Sequence, residues 1–118
     1  MNVAFIEAEG YLEVSLSGRY SLRGMLQAID RIGVRIGETR VMRLLVGVSD
    51  LAGVAPISER YVYASRAAVV LSNLWKCAAF AGPVQPVVPF TSLVAKGKGL
   101  QLEVFRDRVD ALSWLLSQ

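Results

Sequence analysis

Gly99-Leu-Gln-Leu-Glu-Val-Phe-Arg-Asp-Arg-Val-Asp-Ala-Leu-Ser-Trp-Leu-Leu-Ser-Gln118 is the stretch that decides the fold. Leu100, Leu102 and Val104 alternate with Gln101 and Glu103, which is the two-residue period of a strand. Asp107 then stands where a helix N-cap belongs, and Asp110 adds an acid to the first turn. Val109, Leu112 and Leu116, with Ala111 and Leu115, supply a core-facing stripe, and Trp114 is predicted to be mostly buried. A strand that feeds a capped amphipathic helix implies a sheet with that helix folded back onto it.

The same two signals recur upstream. Val3 to Glu9 reads as a short strand and Gly10 as its turn. In Tyr11 to Gly18, Leu12, Val14 and Leu16 on one face alternate with Glu13 and Ser15 on the other, so the two segments form a hairpin. Leu22, Met25, Leu26, Ile29, Ile32 and Ile36 recur at helical spacing behind a Ser21 cap, with Gly37 as a candidate left-handed stop. Val41 to Val48 is a nearly continuous apolar run and predicts a central strand buried on both faces. Ser58 is placed as the cap of a helix from Glu59 to about Trp75, with Val62, Ala67, Val70, Leu71 and Leu74 inside. Lys76 to Ala81 gives a fourth strand, and a short helix spans about Phe90 to Lys96.

The resulting order is β-β-α-β-α-β-α-β-α. It predicts a single α/β domain over residues 1–118, with a mixed, mostly parallel sheet of about five strands, an N-terminal hairpin and about four helices. The charge-free run from 77 to 95 has the length of a membrane span. Gly82, Pro83, Pro86 and Pro89 break it, so no transmembrane segment is expected. With no secretory leader legible, a cytoplasmic location is the expectation.

The composition excludes much chemistry. There is no histidine, which removes the commonest general base and metal ligand together. A lone cysteine, Cys77, lies in an apolar run and reads as a small buried hydrophobe. The sequence points to no metal, no cofactor and no catalytic set, hence to a protein that is not an enzyme. Ten of thirteen basic residues are arginine, but the net charge is only +3. Nucleic-acid binding would call for a denser basic stripe interleaved with aromatics.

Hydrophobic residues make up 53% of the chain, more than a domain of this size readily hides. That excess points to a binding module whose partner is another protein or a second copy of this chain. A small apolar ligand is the alternative. Tyr61, Tyr63 and Arg66 are candidate interaction residues on one helix. Val84, Val87, Val88 and Phe90 in the proline-rich loop could line a ligand site or a dimer contact. An exposed Ser58 would suit phosphorylation at a helix N-terminus.

Several segments resemble one family. Ala78-Ala-Phe-Ala-Gly82, Phe90, Ala95-Lys-Gly-Lys-Gly99, Val104-Phe-Arg-Asp107 and Ala111-Leu-Ser-Trp-Leu115 are similar to the pattern of STAS-like domains. The nearest branch is the stand-alone one, related to bacterial anti-sigma-factor antagonists and compared in fold with lipid-binding CRAL-TRIO domains. Leu16-Ser-Gly18 and the apolar strand at 41–48 also fit. The resemblance implies a four- or five-stranded sheet covered by helices and a non-enzymatic regulatory role, usually through protein contacts. In the antagonists a serine at the start of the second helix is phosphorylated by the kinase that is also the binding partner. The matching place here reads Ile57-Ser-Glu-Arg60, where Ser58 lacks the family's preceding acid and following glycine.

Overall fold

A computed structural model describes residues 1–82 and 89–117. Val84, Val87 and Val88 of the candidate loop lie outside the described residues. The elements are β1 (Asn2–Ala8), β2 (Tyr11–Arg19), α1 (Leu22–Thr39), β3 (Arg43–Ala52), α2 (Ile57–Val70), β4 (Lys76–Phe80), α3 (Pro89–Gly97), β5 (Leu102–Phe105) and α4 (Arg108–Leu116). This is the predicted order, and the five strands form one sheet in sequence order.

β1 is antiparallel to β2, and every later pairing is parallel. Strands added one after another in one direction, each through a right-handed crossover, put all the crossover helices on the same face. α1, α2 and α3 accordingly share one core with Leu12, Val14, Leu16, Leu44 and Cys77 of the sheet. α4 follows the last strand and covers the other face through Ala111 and Leu115, packed with Leu45 and Ala78. Leu44 and Leu45 are neighbours in β3, belong to opposite cores and are both fully buried. That is the expected mark of a strand with both faces covered.

Several local features go beyond or depart from the sequence reading. Glu13 is buried, because Arg108 at the head of α4 reaches its carboxylate with two hydrogen bonds of 2.8 and 2.6 Å. α1 runs through Gly37 and ends on Arg40, whose φ of 59° makes it the left-handed cap. α2 starts at Ile57, one residue before Ser58, because the Pro56 carbonyl already accepts from the backbone N–H groups of Glu59 and Arg60. Its inner face is built on Ala64 and Ala68, which leaves Val62 exposed. In α4, Val109 and Leu116 are exposed, since Ala111 and Leu115 alone point squarely at the sheet.

Trp114 is only partly buried. Its ring packs on Phe105 with centroids 5.7 Å apart, and the Lys76 ammonium lies 4.7 Å from its centre. Lys76 Nζ also donates to the Trp114 and Ser117 carbonyls. Lys76 therefore closes the last turn of α4, where orphan carbonyls need a partner. No described helix is long and apolar enough to cross a membrane.

Candidate functional site

The three-helix face of the sheet does not close completely. Between it and the helices lies a cavity of about 190 Å³. Its floor comes from the inward positions of the central strands, Leu44, Val46 and Val48 of β3 with Cys77 and Ala79 of β4. Its roof comes from Ile29 of α1 and from Ala64 and Ala67 of α2. The space follows from side-chain size. Alanines stand on the roof and on the floor at positions where a tightly packed interior would interleave large and small residues.

The polar groups of the described lining gather where the chain leaves the sheet. Tyr20 follows β2, and its backbone N–H donates to the Ala52 carbonyl at the end of β3. Val54 and Ala55 follow β3, and Arg60 and Tyr63 lie in the first two turns of α2. Thr91 joins them from α3. This rim sits at the carboxyl ends of parallel strands, where open α/β sheets characteristically receive ligands.

The rim is internally braced. The Tyr20 hydroxyl donates to Glu59 Oε1 at 3.0 Å, and its ring rests against that of Tyr63 with centroids 6.3 Å apart. Partial burial and the neighbouring carboxylate push the Tyr20 phenol above its usual range, so it is a neutral donor at physiological pH. Arg60 Nε donates to the Ala55 carbonyl at 2.9 Å. Its two Nη groups have no hydrogen-bond partner among the described residues. Deeper in, burial pushes the Cys77 thiol up to about 12, so it lines the cavity as an uncharged group.

The sequence-predicted residues separate in space. Tyr63 lines the cavity. Tyr61, two residues earlier, is exposed, with Lys98 Nζ 5.4 Å from its ring centre. Arg66 is not at the site, because it forms a paired contact with Asp30 of α1 at 3.0 and 2.9 Å. Ser58 is exposed in the first turn of α2, and Phe90 is partly buried near the start of α3. Residue patterns alone passed over Tyr20 and Arg60. The available signal for both was position, since each lies just beyond the carboxyl end of a predicted strand or at the start of the following helix.

Among the described residues no group of three or more His, Cys, Asp or Glu side chains could hold a metal ion. Compared with known families and with curated proteins, the chain matches no family model and no curated sequence.

Proposed function

We propose that this protein is a non-catalytic binding module for a small apolar molecule held between its sheet and its helices. The observation that carries the reading is the cavity itself, about 190 Å³ with an apolar wall and a polar rim at the ligand-binding edge of the sheet. An apolar cavity of about 150 Å³ takes up benzene, so this space suits a single ring or a short acyl chain. The absence of histidine and the elevated Cys77 thiol leave little here to transform a guest. The resemblance to STAS-like domains, which act by binding, supports the same role.

The test is thermal unfolding with and without 1-hexanol. A ligand that binds only the folded state raises its stability as the ligand-to-Kd ratio grows, so the unfolding midpoint is expected to climb with 1-hexanol. Ala79→Leu, which places a larger side chain in the cavity, is expected to abolish that response. A midpoint in the parent protein that does not respond to 1-hexanol rejects the reading.

A second reading, docking of another protein or a second copy of the chain, is favoured by Ile57 and Tyr61. They lie one turn apart on α2 and are 65% and 50% exposed. Sedimentation across a concentration series tests self-association, and an unchanging monomer mass rejects the second-copy form.

A further inference from the structure

The single charged side chain in the described cavity lining is Arg60. Its Nε is tied to the Ala55 carbonyl, which fixes the plane of the guanidinium, while both Nη groups lack a partner among the described residues. Glu59, the nearby acid, does not line the cavity and accepts from the Tyr20 hydroxyl. An anchored guanidinium with both Nη groups unused beside an apolar space is complementary to a carboxylate carried on an apolar body. A neutral guest would fill the space and leave those donors unused. A cationic guest would meet a like charge at the rim.

Resting on the apolar-ligand reading above, we propose that the guest is a small amphipathic acid. Its apolar body lies over Val46 and Ala79, and its carboxylate is held by Arg60 at the rim, with Thr91 as a further hydroxyl on the lining. The cavity volume limits that body to about six to eight carbons, judged against the benzene-sized space that takes six. Longer chains would have to leave through the rim.

Octanoate and 1-octanol share one chain and differ in the head, so calorimetric titration of both onto the 118-residue chain separates head from body. Octanoate is expected to bind about tenfold more tightly than 1-octanol. Arg60→Gln is expected to lower octanoate affinity about tenfold and leave 1-octanol within about twofold, with Arg60→Lys between the two. The comparison of the two ligands on the parent protein stands even if a variant does not fold. Equal affinities for octanoate and 1-octanol on the parent protein overturn the carboxylate assignment and leave the apolar cavity reading intact. An octanoate preference that survives Arg60→Gln overturns the role of Arg60. Binding of neither ligand overturns both readings.

Discussion

Glu13 and Arg108 show how far one residue's environment can depart from its local pattern. Glu13 stands in an alternating strand, where its polarity marks it as outward, and the outward face of β2 is the one α4 covers. The partner that makes its burial tolerable lies 95 residues away and donates through both Nε and Nη2. No pattern within the strand carries that information. Arg108→Ala leaves Glu13, a residue only 8% exposed, without its cation. Arg108 is half in solvent, so water can follow into the gap, and the expected loss is about 1–3 kcal/mol, below the cost of breaking a fully buried pair. Chemical denaturation of Arg108→Ala, Glu13→Gln and the double variant measures it. Losses that simply add would mean that the two groups do not act as a pair.

Cys77 makes a prediction about pH. Burial raises its thiol from the ordinary 9.0 to about 12. Below pH 9 the thiol is protonated in both the folded and the unfolded chain, so it adds no pH dependence. Between pH 9 and 12 the unfolded chain gives up this proton while the folded one keeps it. The unfolded state then binds fewer protons, and stability falls as pH rises, by at most about 1.4 kcal/mol per pH unit for one group. The raised Tyr20 phenol acts in the same direction from about pH 10 upward, so it adds to the upper part of the same decline. Cys77→Ala should flatten the decline between pH 9 and 12 when unfolding midpoints are compared at matched ionic strength. An unchanged slope would mean that the thiol is reached by water in the native fold. Cys77 was legible from its apolar neighbours alone, because a residue's own run of sequence reports burial well when the whole strand is buried.

At the scale of elements, the order of strands and helices was readable throughout, since periods of two and of 3.6 switch cleanly along the chain. The ends of elements were less so. Gly37 is the obvious stop for α1, but the helix continues to Thr39 and closes on Arg40 in a left-handed conformation. The two glycines of this helix then differ in purpose. At Gly33 an added methyl would overlap Val70 Cγ1 of α2, so the missing side chain permits the close approach of the two helices. At Gly37 an added methyl meets nothing within 4 Å. Gly37→Ala should therefore stabilise the protein by up to about 1 kcal/mol through helix propensity. Gly33→Ala should destabilise it by about 1–3 kcal/mol through overpacking. Equilibrium denaturation of both variants is the check, and changes of the same sign would contradict the packing of α1 on α2.

For the whole molecule, the cavity is the feature that sequence patterns could not have announced. A void is set by volumes that fail to add up across several elements. Its makers, Ala64, Ala67, Ala79 and Ala81, read individually as ordinary small core residues. Each 100 Å³ of closed cavity in a core is associated with about 2.4 kcal/mol of lost stability, so this partly open space of about 190 Å³ represents a loss of at most about 4.5 kcal/mol. A domain of this size has about 5–15 kcal/mol in total. Folds most often depart from close packing where they bind something, and the departure here coincides with the carboxyl ends of the parallel strands and with an anchored arginine. The sign of one substitution decides whether the space is empty in solution. If it is, Ala79→Leu adds contacts without displacing any, and the ligand-free protein should gain about 0.5–2 kcal/mol, as cavity-filling substitutions commonly do. If the helices close onto the sheet in solution, the same leucine must push them apart and should cost about 1–3 kcal/mol. Urea denaturation of ligand-free protein distinguishes the two outcomes. A gain accompanied by loss of the response to 1-hexanol would tie the stability given up in this core to the binding of a guest.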